Sequence, residues 1–291
     1  MSTKFPIISV TGSSGAGTTS VRQTFEVIFR RENVNAAFVQ GDAFHRYGRA
    51  EMEGAMAAAS AKGNQNFSHF GAEANLFTEL EDLFRTYAET GRGRTRTYVH
   101  DEEDAKAQGV KAGVFTPWTD LPGDTDLLLY EGLHGAVITK DVNIARYADL
   151  KIGVVPVINL EWIQKISRDK EHRGYSMDEV TAAILRRMPD YVNYICPQFT
   201  ETDINFQRVP TVDTSNPFVA RWIPTPDESM VIIRFRDPRG IDFPYLLSMI
   251  GESFMSRANS IVIPGSKLDL AMQLILTPLI MQLVERKRRS W

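Results

Sequence analysis

The chain has 291 residues, 43% of them hydrophobic, with 33 basic and 36 acidic side chains and a formal net charge of -3 at pH 7. That length can bury the core of one large α/β domain or two small ones, while the slightly acidic balance excludes a general nucleic-acid or membrane-surface binder, which needs a basic excess. One cysteine, Cys196, leaves no intramolecular disulfide and no zinc-type Cys/His spacing, so the expected setting is reducing and cytoplasmic.

No apolar run reads as long enough to span a membrane, and the first residues lead straight into an apolar segment, Pro6 to Val10, with no room for a secretory signal. After it come Gly12-Ser13-Ser14-Gly15-Ala16-Gly17-Thr18-Thr19-Ser20, and then Val21, Phe25, Ile28 and Phe29 at helical spacing. This is strand, phosphate-cradling loop and helix. Against the pattern G-x-x-x-x-G-K-[ST], Gly12 and Gly17 hold the spacing and Thr19 supplies the metal-side hydroxyl, but Thr18 stands where lysine is usual. Glycines let backbone amides converge on one anion, and the helix adds its positive end. A turn without a ligand is the alternative.

Ala36 to Gln40 reads as a second strand, ending in Gly41-Asp42-Ala43-Phe44-His45-Arg46-Tyr47-Gly48-Arg49. Ligands of open α/β sheets gather at the carboxyl ends of strands, which places Asp42, His45 and Arg49 beside the phosphate loop; a plain polar loop is the alternative. Residues 50–70 have weak periodicity and read as a mobile insertion with no assigned chemistry. Leu76, Leu80, Leu83, Phe84 and Tyr87 then mark a core helix closed by Gly91. Arg92, Arg94 and Arg96 alternate with small residues, as on one face of a strand that is solvated or meets an anion or a second subunit. Residues 101–125 look like a surface excursion.

Asp126 to Tyr130 is a strand ending in Glu131, the pattern that holds a carboxylate near the Mg²⁺ of a bound nucleoside triphosphate, although an acid in a turn would look the same. After the strand Leu150 to Val157, Lys165, Arg168, Asp169, His172 and Arg173 share one helical face while Leu160, Ile163 and Ile166 share another. Ser176 to Glu179 is a capping box for the next helix, which carries Arg186 and Arg187 near its end. Residues 159–188 thus resemble the lid that nucleotide kinases close over phosphates; a solvated salt-bridged helix pair is the bland reading. Asp203 to Val209, Met230 to Phe235 and Ser260 to Ile263 are strand-like. Lys267 to Val284 is a long helix with Pro278 inside it, and Arg286 to Arg289 read as a solubilising tail. The expected fold is α/β: one P-loop kinase domain over 1–291, a mixed, mostly parallel sheet flanked by helices, with a helical lid and added C-terminal strands over 200–291.

A phosphate loop, a strand-end acid and a cationic lid suit phosphoryl transfer from a nucleotide to a small molecule, which needs a base in the acceptor pocket. Asp42 is placed for that role, and Arg49 with His45 could hold an anionic acceptor.

Several segments resemble the bacterial branch of the phosphoribulokinases. They are the phosphate loop with its threonine, Gly41 to Arg46, Tyr130 to His134, Lys165-Ile166-Ser167-Arg168-Asp169 with Arg173-Gly174-Tyr175-Ser176 and Glu179, and Asp213 to Phe218. The resemblance spans essentially the whole chain. It implies ATP-dependent phosphorylation of D-ribulose 5-phosphate at its C1 hydroxyl, with Asp42 as base, Asp169 as a second essential acid near Mg²⁺ or the phosphoryl group, and Glu131 as the strand-end acid. It also implies that His45, Arg49 and Arg173 contact the sugar phosphate and that Lys165 and Arg168 meet the transferred phosphoryl group. These two then supply the charge that Thr18 does not. Further implications are a homo-oligomer, typically an octamer, activated by NADH and inhibited by AMP. Arg31, Arg186, Arg187, Arg234 and Arg257 are the candidate effector or interface arginines. A uridine- or pantothenate-type kinase is the nearest rival, and a non-catalytic nucleotide-binding regulator is the rival from another class. The first usually keeps the loop lysine and lacks the 165–179 segment, and the second has no need of Asp42, Glu131 and Asp169 together.

Overall fold

The computed structural model describes residues 4–13, 18–173, 175–220 and 222–289; the side chains of residues 18–20 and 171–173 lie outside that description. The first half contains β1 (Ile7–Thr11), α1 (Thr18–Arg31), β2 (Ala36–Gln40), α2 (Arg49–Ala61), α3 (Phe77–Thr90), β3 (Arg94–Thr95), α4 (Glu102–Gln108), β4 (Thr119–Asp120) and β5 (Leu127–Gly132). The second contains β6 (Leu150–Val155), α5 (Ile158–Arg173), α6 (Met177–Asp190), α7 (Gln198–Glu201), β7 (Ile204–Pro210) and β8 (Ser229–Phe235). It ends with α8 (Phe243–Met249), β9 (Phe254–Arg257), β10 (Ser260–Pro264) and α9 (Leu268–Arg289).

Every residue of β1 is buried, as a strand covered on both faces and paired on both edges must be. Eight strands form one sheet in the order β2-β5-β1-β6-β7-β8-β10-β9. The pairings from β2 through β7 are parallel, and those from β7 through β9 are antiparallel. The mixed, mostly parallel sheet is therefore the expected one, with β9 as an edge strand not foreseen. The carboxyl ends of β2, β5 and β1 lie side by side, and the phosphate loop, Asp42 and Glu131 follow from them.

One face of the sheet packs on Val21, Phe25 and Ile28 of α1 and on Ala271, Ile275 and Ile280 of α9; the other packs on Leu80, Phe84 and Tyr87 of α3. The α3 cap is as read, with Gly91 in the left-handed region at φ 69°.

Three readings change. Residues 49–61 form a helix, α2, because Met52 finds a small apolar cluster with Phe67 and Ala74 that periodicity alone could not announce. The strand expected through Arg92, Arg94 and Arg96 is only Arg94–Thr95, and Arg96 instead turns inward. Among the described residues α9 is long and apolar enough to cross a membrane, against the expectation that no run is, yet its stripe from Ala271 to Val284 is buried in the core.

The basic end of α9 does more than solubilise. Arg288 holds Asp126 at 2.8 and 3.0 Å, and Arg286 holds Asp149. Each aspartate also accepts a backbone amide, Asp126 from Asn35 just before β2 at 2.9 Å and Asp149 from Ile7 of β1 at 3.0 Å. The helix end is clamped to the amino ends of β5 and β6, opposite the functional edge.

Candidate active site

Asp42 stands on a short 3-10 turn, Gly41–Phe44, directly after β2. The turn can press on β5 because neither Gly41 nor Gly132 has a side chain. A Cβ on Gly41 would lie 2.5 Å from the Tyr130 hydroxyl and 2.7 Å from Gly132 Cα, closer than real contacts allow.

The Asp42 carboxylate is held by two imidazoles, His45 Nε2 and His100 Nε2, each at 3.2 Å. Burial alone would raise its pKa, but the hydrogen bonds from His100 and His45 prevail and hold it well below the usual carboxylate range. Asn75 fixes the state of His45. The Asn75 amide donates to the carbonyls of His69 (2.8 Å) and Gly71 (2.7 Å), so its oxygen faces His45 Nδ1 at 2.8 Å and that nitrogen donates. Nε2 can then donate to Asp42 only as imidazolium. Burial opposes that charge, but the Asp42 bond outweighs it and raises the His45 pKa.

Two arginines brace this pair. Arg96 donates to the carbonyls of Ala43 (2.8 Å) and His45 (2.7 Å) while its guanidinium lies 3.7 Å from the Phe115 ring centroid. Arg49, exposed at the start of α2, donates to the His100 carbonyl at 2.7 Å. The structure thus brings together Asp42, His45 and Arg49, and it adds His100 and Asn75, to which the sequence assigned nothing. His100 lies 58 positions from Asp42 in a segment whose irregular backbone leaves no periodicity to read.

The second cluster is on α5 and α6. Asp169 is 3% exposed and pairs with Lys165 and with Arg168 at 3.2 Å. Burial first, and then the nearby Arg187 charge, lower the Lys165 pKa to about 8 in spite of Asp169. Burial likewise brings Arg187 down to about 10, with Arg186 adding to it. Glu161, unread in the sequence, is buried; burial raises its pKa, while the hydroxyls of Ser13 and Tyr191 partly offset this. Phe70, Glu161, Lys165, Arg187 and Tyr191 help line a cavity of about 20 Å³, room for a water and not for a phosphate.

Glu131 is in register with Val10 of β1 and Gln40 of β2, at the end of the sheet from which Gly12 and the Asp42 turn leave. That donor type in that place fits a Mg²⁺ brought in with a nucleotide. Among the described residues no three acidic, His or Cys side chains form a metal cluster by themselves. Gly12 and Ser13 follow β1 and are buried; residues 14–17 and the side chains of Thr18, Thr19, Ser20 and Arg173 lie outside the described part.

The effector candidates separate. Arg31 lies on the outside of α1, bonded to Gln273 (3.2 Å) and Thr277 (2.9 Å) of α9. Arg234 on β8 and Arg257 on β9 are exposed and both in register with Ser260 of β10, which puts them on the far side of the sheet. Arg186 and Arg187 are on α6, where Arg187 lines the small cavity beside Glu161 and Lys165.

A family model described as the phosphoribulokinase / uridine kinase family matches residues 7–215. A phosphoribulokinase of Nitrobacter vulgaris is 74% identical over 287 residues, 99% of each chain. One of Xanthobacter flavus is 72% identical over 290 residues, 100% of each. The solved phosphoribulokinase from Rhodobacter spheroides superposes with a TM-score of 0.91 at 64% identity, covering 99% of this chain and 100% of the other.

Proposed function

The chain belongs to the phosphoribulokinase / uridine kinase family, and from that premise we propose that it transfers the γ-phosphoryl group of ATP to the C1 hydroxyl of D-ribulose 5-phosphate, giving ribulose 1,5-bisphosphate for carbon fixation in the Calvin cycle. The observation that carries this reading is full-length identity of 74% and 72% to phosphoribulokinases, against which the uridine- and pantothenate-kinase readings have no comparable support.

Magnesium-bound ATP supplies the phosphoryl group and much of the charge neutralisation. Glu131 and Thr19 are the residues that would hold the metal side, with Asp169 close to the phosphoryl group. Asp42 accepts the C1 hydroxyl proton. Of its two imidazole partners His45 is buried and fixed through Asn75, whereas the His100 side chain is 47% exposed. An incoming hydroxyl replaces the His100 bond more readily, and losing that donor returns basicity to Asp42 when a proton has to be taken. Arg49 and Arg173 are suited to the acceptor phosphate, and Lys165 with Arg168 to the group in flight.

We further propose a homo-oligomer, an octamer, with NADH activation and AMP inhibition. The exposed Arg31, Arg234 and Arg257 support an effector site away from the cleft, whereas Arg187, which lines the cavity beside Lys165, and its neighbour Arg186 are better placed to act on turnover itself. ADP release assayed against ribulose 5-phosphate, uridine and pantothenate, with and without NADH, tests the reading. Turnover with uridine but not ribulose 5-phosphate would overturn it.

The base also depends on the close approach at Gly41. Gly41→Ala is expected to push the Asp42 turn off β5 and lower kcat by about 10²-fold, since a displacement of about 1 Å at a reacting group costs that much. A kcat within a factor of about two of the parent would show that the turn accommodates the methyl group.

A further inference from the structure

His69 lies in the stretch Phe67 to Phe70, to which neither the sequence motifs nor the reaction assigned a task. Its ring packs on His45 with centroids 4.8 Å apart and an interplanar angle of 44°. His45 is the imidazole bonded to Asp42, so His69 is one ring beyond the base.

The mount is rigid. Ser68 Oγ donates to Asp190 at 2.7 Å, the carbonyl of Phe70 accepts from His134 Nε2 at 2.9 Å, and the carbonyls of His69 and Gly71 accept from Asn75. The same Asn75 orients the His45 ring, so a single amide ties that ring to the backbone of His69. Within this tied-down segment His69 Nδ1 is buried with no hydrogen-bond partner among the described residues. A buried unpaired ring nitrogen costs free energy, and one packed against the imidazole that holds Asp42 marks a place where a bond is made to something else.

The charge of the surroundings says what kind of group that is. Burial, then the charges of His45 and Arg187, lower the His69 pKa to about 3, so the ring is neutral at any working pH. The cationic side chains whose charge reaches it are His45, Arg187 and Arg186. A neutral imidazole among them is matched to an uncharged oxygen, as a sugar carries between its reacting end and its phosphate.

We propose that His69 is a substrate-reading residue that hydrogen-bonds the C2 carbonyl or the C3 hydroxyl of the acceptor, the oxygens one and two carbons from C1, whose hydroxyl lies on Asp42. This rests on the acceptor being ribulose 5-phosphate. The bond selects for a 2-keto pentose phosphate and holds C1 against the base.

The test compares the parent with His69→Ala, using ribulose 5-phosphate, its 3-deoxy analogue and the analogue with a methylene in place of the C2 carbonyl as acceptors. His69→Ala is expected to lower kcat/KM for ribulose 5-phosphate by about 10- to 100-fold, mostly through KM, with the KM for ATP unchanged. With the analogue that lacks the partner oxygen, parent and variant should be equally slow. A structural role would give the same loss with all three acceptors, and that result overturns the proposal, as does an unchanged kcat/KM for ribulose 5-phosphate. If His69→Ala does not fold, His69→Gln carries the same comparison. Should the parent fail to phosphorylate ribulose 5-phosphate at all, the reading of the reaction falls first, before any variant is measured.

Discussion

Asp42→Asn is expected to lower kcat by about 10³-fold while the KM for ATP stays within about two-fold, because the side chain keeps its size and loses only its ability to take a proton. That loss corresponds to about 4 kcal/mol of transition-state stabilisation. The low pKa of Asp42 in the free site makes it ionised at every working pH and, taken alone, a weak base. In a loose phosphoryl-transfer transition state the proton leaves late, so a weak base whose donors are displaced by substrate suffices.

The same variant has a readout that does not depend on turnover. The His45 pKa is raised by its bond to Asp42 against the effect of burial. With asparagine in place of the carboxylate, burial is opposed only by the Asn75 bond, so the His45 titration followed by NMR should move to lower pH. A kcat within ten-fold of the parent would remove Asp42 as the base, and an unmoved His45 titration would remove the ion pair.

The parts of this site legible in the sequence were those written in consecutive residues. Glu131 at a strand end, the Asp42 turn and the capping box at Ser176 each combine a local backbone requirement with a fixed residue type. The Ser176–Glu179 box is present with both reciprocal bonds. The sheet was legible as well, because buried parallel strands such as Ile7 to Thr11 and Leu127 to Tyr130 are continuous apolar runs.

What stayed hidden depends on contacts between distant residues. Arg96 looked like one of three surface arginines, but only the folded chain shows its guanidinium on Phe115 with two carbonyls of the Asp42 turn in reach. His100 and Asn75 act on residues 58 and 30 positions away, and Arg288 reaches Asp126 over 162. Helix α2 was missed because its buried face is little more than Met52, too narrow a stripe to register as periodicity.

Lys165→Met should lower kcat by about 10²- to 10³-fold with a much smaller change in the KM for ATP, as for the loss of a group that meets charge developing in the transition state. At Thr18 the loop lacks its usual cation. In the folded chain a candidate supply is the α5 cluster, in which Lys165 and Arg168 share Asp169. Lys165 has a further signature, since its pKa stands at about 8, well below the ordinary lysine value of 10.5. It carries its proton below that pH and loses it as the pH rises, so kcat/KM should fall on the alkaline side with an apparent pKa near that value. Bound phosphates favour the charged form, which moves the corresponding limb of kcat to higher pH. In Lys165→Met the kcat/KM limb near pH 8 should vanish. Were the limb to persist, its titrating group would be another residue; were turnover unchanged, the cation replacing the loop lysine would have to come from Arg168 or Arg187.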